Sequence, residues 1–435
     1  MSQALILAGG FGKRLGKIYP DIPKPMVPFL GKPLLYHQMM LCKKYNFTNI
    51  KILLYHQAKV IQEYFGDGSK LGLQLDYCIE KEPLGTAGAI LNIFEKLDEN
   101  FLVLYGDTYL NIDLDSFFKA HTRQDADATL FIHPNNHPHD SDIVEVDDNN
   151  YIKEFHSYPH DSNFWYGNLV NGALYAIKKE SLFSQIQNVS KQDIFKDLFP
   201  ILLKNNKKFY GYRSSEYIKD MGTPERIQNV EKDIASKKHI RLQNNRKKIA
   251  VFIDRDGVIN EERGLITKPD QFYLIDGVSE AIKKINDAGI ITVLVTNQPI
   301  ISRGDASRSE LKIIHNKMET ILGREGAYLD AIYYCPHHPD NGFEGEISEL
   351  KIECNCRKPN PGMLLKATEE LNIDLDKSWM IGDTTTDIMT AKNIKIRSIL
   401  VQSGYGGNDN KYDVVPDYNF KNLNQAADFI LQSIA

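Results

Sequence analysis

Short apolar runs that recur between helix-like segments constrain the fold of this chain more than any other feature. In the first half of the chain, these runs cover residues 4–8, 50–55, 101–105, 128–132 and 172–177. The rhythm restarts with runs at residues 249–253, 291–295, 331–334, 379–381 and 399–401. Such alternation is typical of α/β domains with a mostly parallel sheet. Because the rhythm restarts, we expect two α/β domains.

A polar segment separates the two series of apolar runs. A helix-like stretch ends at residues 235–239 and continues into a basic run at 244–248 without an apolar period. The pattern predicts a first domain over residues 1–238, a linker over 239–247 and a second domain over 248–435. A basic run is also found in nucleic-acid-binding patches, but the chain as a whole is acidic, so a solvated linker is the preferred interpretation.

The overall charge restricts the class of partner. A net charge of −5 and a pI near 6.2 give no general attraction to nucleic acid or to an anionic membrane. Residues 1–7 lack the basic segment of a signal peptide, and no apolar run approaches the length needed to span a membrane. We therefore expect a cytoplasmic protein whose partners are neither nucleic acids nor membranes. The oligomeric state stays open at this point.

Four motifs in the first domain bear residues suited to phosphate chemistry. The first apolar run leads into a glycine-rich loop at residues 9–15, where backbone N–H groups can wrap a phosphate chain, although such loops are also plain structural corners. Lys24 follows between two prolines, which stiffen the presentation of its charge. A second turn of small residues covers residues 80–88, and Asp107 follows another apolar run, where it can bind Mg²⁺.

These four motifs, in this order, resemble the sugar-1-phosphate nucleotidyltransferase family over residues 1–235. The resemblance implies a Rossmann-like domain with a mostly parallel mixed sheet. It also implies that an oxygen of a sugar phosphate attacks the α-phosphorus of a nucleoside triphosphate, so that the protein mainly aligns two polyanions. By the resemblance, the nucleotide is bound by Gly9, Gly10 and Gly85, the leaving pyrophosphate meets Arg14, the reacting phosphates meet Lys24, and Mg²⁺ is bound by Asp107 and Asp220.

The first domain departs from the family pattern at two places. Lys13 stands where relatives commonly carry a hydroxyl residue, which leaves the nucleotide preference open. Residues 155–159 replace an acidic–basic pair that contacts the sugar in hexose-1-phosphate enzymes, so we expect a sugar other than a common hexose. The histidines at 133–139 suggest either a metal site or a polar loop, and the prolines and asparagines among them favour the loop.

Carboxylates in the second domain point to a different chemistry. Asp254 and Asp256 follow the buried run at 249–253, and a metal ion can offset the repulsion of such a pair. One carboxylate is then a nucleophile, while the other protonates a leaving group. Further along the chain, Thr296 and Asn297 offer hydrogen bonds to a phosphoryl group, and residues 357–358 and 383 supply cations and another carboxylate.

The order of these motifs resembles the haloacid dehalogenase superfamily over residues 248–432. The resemblance implies a Rossmann-like domain without a large cap, and an aspartyl-phosphate intermediate. By the resemblance, Asp254 is the nucleophile, Asp256 the general acid and base, Thr296, Asn297 and Arg357 bind the phosphoryl group or substrate, and Lys358 stabilises charge. Mg²⁺ is then bound by Asp254, Asp383 and the backbone carbonyl of Asp256.

Three of the five cysteines lie close together with a histidine. Cys335, His337, Cys354 and Cys356 supply a full tetrahedral set for Zn²⁺, which predicts a structural ion that fixes the loop bearing Arg357 and Lys358. Free thiols and a disulfide are the alternatives. Zinc loops occur in D,D-heptose 1,7-bisphosphate phosphatases and histidinol-phosphate phosphatases, and the resemblance is closer to the heptose enzymes. Departures at residues 299–300 and at Thr384 concern substrate fit.

Taken together, the two resemblances imply a bifunctional enzyme of nucleotide-activated heptose synthesis. A phosphatase removes the C7 phosphate, and a transferase adds a nucleoside monophosphate at C1, with GTP as the expected donor and Mg²⁺ at both sites. One alternative joins a histidinol-phosphate phosphatase to a hexose-1-phosphate transferase. A regulatory module with inactive sites is disfavoured because Lys24, Asp107, Asp254, Asp256 and Asp383 are all present.

Overall fold

The structure is a computed structural model that describes residues 3–10, 19 and 22–434, except for the side chains of 186–188. These residues form two compact units. The first comprises Met1–His133, Asp142–Ser157 and Val170–Gln243. The second comprises Pro134–Ser141, Tyr158–Leu169 and Asn244–Ala435.

The first unit is built on a mixed sheet. The strands of this unit are β1 (Gln3–Leu7), β2 (Pro28–Phe29), β3 (Lys32–Pro33), β4 (Asn49–Leu54), β5 (Gln74–Ile79), β6 (Asn100–Tyr105), β7 (Thr108–Asn111), β8 (Ala128–His133), β9 (Ile143–Val146), β10 (Ile152–His156), β11 (Val170–Lys178), β12 (Phe209–Arg213) and β13 (Tyr217–Asp220). Two pairs, β2 with β3 and β7 with β13, form small sheets of their own. The main sheet has the order β10-β9-β11-β6-β1-β4-β5, with β8 joining β11 to β12. Strands β6, β1, β4 and β5 are parallel, whereas β11 runs antiparallel to its neighbours.

Helices cover this sheet and position its loops. They are α1 (Leu34–Lys44), α2 (Ala58–Phe65), α3 (Gly85–Asn92), α4 (Leu114–Gln124), α5 (Phe199–Lys204), α6 (Pro224–Ala235) and α7 (Lys238–Arg241). Short turns of 3₁₀-helix lie at Lys24–Met26, Ser69–Leu71, Phe94–Lys96 and Lys179–Asn188, and a π-helical turn lies at Ile194–Leu198. The apolar strand β1 lies between β6 and β4 and is mostly buried. Its carboxyl end leads directly into the glycines at 9 and 10.

The second unit has a parallel six-stranded sheet. Its strands are β14 (Ala250–Ile253), β15 (Ile291–Asn297), β16 (Ala331–Cys335), β17 (Trp379–Gly382), β18 (Arg397–Val401) and β19 (Tyr418–Phe420), in the order β16-β15-β14-β17-β18-β19. Its helices are α8 (Val278–Asp287), α9 (Arg308–Arg324), α10 (Gly362–Leu371), α11 (Thr385–Asn393) and α12 (Leu423–Ile434). In a sheet of this kind, side chains that follow neighbouring strands meet at the carboxyl edge.

The expected fold class is confirmed in both units. Each is α/β, the first sheet is mixed, and the second unit contains the cysteine and histidine group of the expected zinc loop. Among the helices within the described ranges, none has both the length and the apolar composition needed to cross a lipid bilayer.

Candidate active sites

In the first unit, Lys24, Asp107 and Asp220 come together as the sequence predicts. Asp107 follows β6, and β13 ends at Asp220, whose register partner on the antiparallel β7 is Thr108. The pairing therefore brings the two carboxylates to neighbouring positions. Lys24 Nζ donates a hydrogen bond to Asp107 Oδ2 and lies 3.6 Å from Asp220 Oδ1.

A fourth charge completes this cluster. Arg226, near the start of α6, donates a hydrogen bond from Nη1 to Asp220 Oδ2. Asp220 Oδ1 is buried and has no hydrogen-bond partner among the described residues, so it has capacity for another cation besides Lys24. The two carboxylates suit Mg²⁺, whose arrival would replace part of the positive charge that Lys24 and Arg226 now provide. With Mg²⁺ bound, the cluster would carry a net positive charge and would neutralise charge on phosphate groups.

Gly9, which directly follows β1, lies beside a carboxylate of the second small-residue turn. A Cβ added at Gly9 would lie 3.3 Å from Glu80 Oε2, so Gly9 is close to this side chain. Glu80 Oε1 accepts a hydrogen bond from the Leu84 N–H, 3.3 Å away, just before α3 begins at Gly85. Burial raises the pKa of Glu80 above its usual range. A partly desolvated acceptor thus stands next to the predicted nucleotide loop.

The other predicted nucleotide residues differ in what surrounds them. Gly10 is exposed, and a Cβ added there would meet no atom of the described ranges within 4 Å. Gly85 has φ +73° and lies so close to the Gln192 carbonyl that a Cβ would approach it to 2.4 Å. Only glycine fits both constraints at this turn. Arg14 and Lys13 lie outside the described residues.

In the second unit, four charged groups meet at the carboxyl edge of the sheet. Lys358 Nζ lies 2.8 Å from Asp254 Oδ1 and 2.6 Å from Asp387 Oδ1. The carboxylates of Asp254, Asp383 and Asp387 are buried and lie within 4.8 Å of one another. Strands β14 and β17 are adjacent and parallel, which is why Asp254 and Asp383 meet. Asp387 joins them from the first turn of α11, where it also caps the helix by accepting from Thr384.

The electrostatics of this cluster favour a cation. Burial, then the charge of Asp387, raises the pKa of Asp254 well above its usual range, although Lys358 opposes this. Burial, then Asp387, raises the pKa of Asp383 to about 7. Three carboxylates face one lysine, so a divalent ion would offset the remaining repulsion.

The space around Asp383 also fits a metal ligand. Its Oδ2 accepts a hydrogen bond from the Tyr405 N–H at 2.7 Å, while its buried Oδ1 has no hydrogen-bond partner in the part of the chain that the structure describes. Glycines at 257 and 404 border the carboxylate, and a Cβ at either position would lie 2.2 or 2.1 Å from Asp383 Oδ2. Glycine at these two positions therefore leaves room for the Asp383 carboxylate, whose Oδ1 can bind a cation, and the residues present fit Mg²⁺.

Asp256 lies outside this acid cluster and has its own set of donors. Its carboxylate accepts three hydrogen bonds from the Arg255 guanidinium, at 2.9–3.1 Å. Asn260 Nδ2 and Gln298 Nε2 donate to it at 3.0 and 3.1 Å. The backbone carbonyl of Asp256 as a metal ligand stays a prediction.

Thr296 and Asn297 end β15 next to these groups. Thr296 Oγ1 accepts a hydrogen bond from Gln298 Nε2 at 2.9 Å. Asn297 exchanges two hydrogen bonds with the backbone of Lys358, at 3.0 and 2.9 Å. Its amide therefore fixes the segment that delivers the lysine, besides the phosphoryl contact that the sequence predicts for it.

Cys335, His337, Cys354 and Cys356 converge on one point. The sulfur atoms lie 3.2–3.5 Å apart, and His337 Nδ1 lies 3.3 Å from Cys356 Sγ and 3.6 Å from Cys335 Sγ. These separations exceed the roughly 2.05 Å of a disulfide bond. They suit four ligands around a tetrahedral ion. Arg357 braces the group, since its Nη1 donates to the His337 carbonyl at 3.1 Å and its backbone N–H donates to Cys354 Sγ at 3.3 Å.

A third group with possible metal ligands lies on β9 and β10. His156 is within 3.6 Å of Glu145 and 3.8 Å of Glu154, and two of the three residues are only partly buried while the third is exposed. In the predicted polar loop, His137 Nδ1 lies 2.8 Å from Asp140 Oδ1 and 3.1 Å from Ser141 Oγ. Local polar partners of this kind suit an ordinary turn.

Several residues of these sites were not identified from the sequence. Asp387 carried a usable signal, because it stands four residues after Asp383 and therefore in the first turn of the helix that follows β17. Arg226 and Glu80 carried none, since their importance depends on packing between segments distant in sequence. Arg255 stands inside the predicted motif, but its burial gave no sign in the sequence.

Comparisons with known proteins find relatives of both halves of the chain. The family model described as Nucleotidyl transferase matches residues 3–237, and one described as HAD-hydrolase-like matches residues 355–426. The D-glycero-beta-D-manno-heptose-1,7-bisphosphate 7-phosphatase of Pasteurella multocida is 44% identical over 158 residues, which are 36% of this chain and 83% of that protein. The enzyme of the same name from Escherichia coli K12 is 37% identical over 187 residues, covering 43% and 90% of the two chains.

A solved structure matches the first half. HddC from Yersinia pseudotuberculosis, complexed with GMP-PN, is 27% identical to this chain, with a TM-score of 0.47, and the match covers 54% of this chain and all of that one. The family model spans more than half of the present chain, and the curated phosphatases are matched over most of their length. The chain therefore belongs to the nucleotidyl transferase family and, through its other half, to the family of the D-glycero-beta-D-manno-heptose-1,7-bisphosphate 7-phosphatases.

Proposed function

We propose that this enzyme carries out two consecutive steps towards a nucleotide-linked heptose. Its phosphatase half removes the C7 phosphate of D-glycero-D-manno-heptose 1,7-bisphosphate, and its transferase half joins GMP from GTP to the resulting heptose 1-phosphate. We assign the phosphatase activity to residues 248–435 and the transferase activity to residues 1–238, with a linker at 239–247. The observation that carries it is the Asp254, Lys358, Asp383 and Asp387 cluster in a chain whose phosphatase relatives bear the heptose name.

In the phosphatase step, Asp254 attacks the phosphorus and the C7–O–P bond breaks. Asp256 gives a proton to the leaving oxygen, then takes one from the water that hydrolyses the aspartyl-phosphate. Lys358 offsets charge on the transferring group, with Thr296, Asn297 and Arg357 as further partners of the substrate. Mg²⁺, held by Asp254, Asp383, Asp387 and the Asp256 carbonyl, would supply additional charge neutralisation.

In the transferase step, an oxygen of heptose 1-phosphate forms a bond to the α-phosphorus of GTP as pyrophosphate leaves. No protein nucleophile takes part, so the residues act by alignment and charge neutralisation. Gly9, Gly10 and Gly85 contact the nucleotide, Arg14 the pyrophosphate and Lys24 the phosphates at the reacting centre. Asp107 and Asp220 would hold Mg²⁺, which supplies charge neutralisation there.

The preference for GTP follows from the chemistry of Glu80. A carboxylate offers two acceptors side by side, and guanine presents two adjacent donors, N1–H and N2–H, on its pairing edge. Adenine, cytosine and uracil do not present two adjacent donors there. Because Glu80 Oε2 lies beside Gly9, a base bound at this loop is within reach of the carboxylate. Partial burial strengthens discrimination, since a mismatched base would leave the carboxylate unpaired.

We expect Glu80→Gln to lower kcat/KM for GTP by about 30- to 1,000-fold, because the amide places a donor against a guanine donor. The amide keeps an oxygen to accept from Leu84, so the turn itself is preserved. The measurement is pyrophosphate release with each of the four nucleoside triphosphates. Glu82→Gln, an exposed position in the same turn, is the matched control. An unchanged GTP preference in Glu80→Gln would refute the assignment.

Zinc is proposed as a structural ion of the loop that bears Lys358. Metal analysis of purified protein should find about one zinc per chain, and Cys354→Ser should lose it while phosphatase kcat/KM falls about 10- to 100-fold. Cys78→Ser, outside the group, serves as the control and should retain both zinc and activity. Fully active protein that contains neither zinc nor iron would contradict this role.

The phosphatase substrate is tested by comparing phosphate release from heptose 1,7-bisphosphate and from histidinol phosphate. We expect a preference of at least about 100-fold in kcat/KM for the bisphosphate, since a site built for a second phosphate leaves charges unpaired around the smaller substrate. Faster turnover of histidinol phosphate would refute heptose 1,7-bisphosphate as the substrate of the phosphatase half.

A further inference from the structure

Arg255 is one of the largest side chains that are fully buried in the described chain, with only 1% of its side chain exposed. It stands between the two aspartates of the phosphatase motif. Burying a guanidinium is costly, and replacing a buried ion pair with apolar groups of similar size often leaves stability unchanged or improved. Packing alone therefore gives a poor reason for an arginine at this position.

The guanidinium makes two sets of contacts in opposite directions. Its Nε and Nη2 donate to both oxygens of Asp256, at 2.9–3.1 Å. Its Nη1 points at His315 Nε2, 3.4 Å away, on α9. His315 is itself buried, and burial followed by the charge of Arg255 lowers its pKa well below the usual range. The ring is therefore neutral, and its Nε2 can accept the Arg255 hydrogen.

We propose that His315 and Arg255 are positioning residues that hold Asp256 in the geometry needed for proton transfer to the leaving oxygen. The fork of the guanidinium fixes the plane of the Asp256 carboxylate, and His315 fixes the plane of the guanidinium. Asn260 and Gln298 complete the set, each donating to a different oxygen of Asp256. The inference rests on the role of Asp256 in the proposed function.

Two substrates with different leaving groups distinguish a positioning role of His315 from a merely structural role. Heptose 1,7-bisphosphate releases a strongly basic alkoxide, which needs a proton as the C–O–P bond breaks. In contrast, p-nitrophenyl phosphate releases a weakly basic phenolate, which leaves without one. Because kcat/KM reports the steps through the release of this first product, the second substrate bypasses the acid.

His315→Leu removes the acceptor and places an apolar side chain in the same buried position. We expect its kcat/KM to fall about 10- to 100-fold for heptose 1,7-bisphosphate and to stay within about threefold for p-nitrophenyl phosphate. His315→Gln offers a side-chain oxygen to Arg255 and should recover most of the loss. Met318→Ala, one helical turn away on α9 and fully buried, is the matched control for loosened packing and should affect both substrates alike.

Equal losses on the two substrates in His315→Leu, or no loss on either, would overturn the inference. If His315→Leu fails to fold, the same comparison applies to His315→Phe, which also removes the acceptor and keeps a planar ring. A selective loss on the bisphosphate then supports the inference, and its absence in the folded variant opposes it. Asp256→Asn separates a failure of the proposed acid role from a failure of the positioning inference. If Asp256→Asn lowers kcat/KM equally for both substrates, the proposed acid role of Asp256 is wrong. If Asp256→Asn is selective and the His315 variants are not, only the positioning inference fails.

Discussion

Asp254→Asn is expected to lower phosphatase kcat by at least about four orders of magnitude, because the amide cannot form the aspartyl-phosphate. Asparagine has the same size and no charge, so the buried cluster loses one of three mutually repelling carboxylates without a change in packing. Nucleotidyl transfer should stay within about twofold of wild type, since every group proposed for it lies in the other unit. Phosphate and pyrophosphate release, measured on the same preparation, give both values.

Asp276→Asn is the matched control for this change. It makes the same chemical substitution at an exposed position of the second unit. We expect both activities to be retained. Loss of both activities in well-folded Asp254→Asn protein would contradict the assignment of one complete site to each half.

Asp107→Ala and Lys24→Ala should have the reciprocal effect. We expect each to lower kcat/KM for nucleotidyl transfer by about 1,000-fold or more, because each removes a charge from the centre where two polyanions must meet. Phosphatase activity should remain within about twofold of wild type. The two substitutions should combine with less than additive effect, because Lys24 and Asp107 contact each other directly.

Asp148→Ala, in the exposed turn between β9 and β10, controls for loss of an aspartate from the same unit. It should leave transfer unchanged. Retention of transfer in folded Asp107→Ala protein would exclude the proposed metal position, whereas loss of both activities would exclude separate sites.

The positions of the parallel strands in both units could be predicted from local patterns in the sequence. Buried parallel strands are short apolar runs that can be recognised without knowing their neighbours. Strands β1, β4 and β6 coincide closely with such runs. The direction of β11 could not be predicted in the same way. Its apolar run looks like those of the parallel strands, yet it lies antiparallel to β6, and strand direction depends on long-range connections.

The predicted site residues share one property: they directly follow buried strands or stand in short motifs. Asp254, Asp383 and Asp107 are of this kind, and each lies in a cluster of charges. Arg226 and His315 are different, because each lies on a helix and reaches its partner only through tertiary packing. A helical arginine or histidine has no local pattern that separates a positioning role from an ordinary surface or core position.

We propose that one chain converts heptose 1,7-bisphosphate into a nucleotide-linked heptose. The most direct measurement supplies the bisphosphate with GTP and Mg²⁺ and follows phosphate, pyrophosphate and product mass over time. Phosphate should appear before pyrophosphate, because the C7 phosphate carries charge that a sugar site shaped for a neutral tail would have to desolvate. The final product should have the mass of a GDP-linked heptose without the C7 phosphate. Pyrophosphate released first, a product that retains the C7 phosphate, or equally efficient transfer to mannose 1-phosphate would contradict the account.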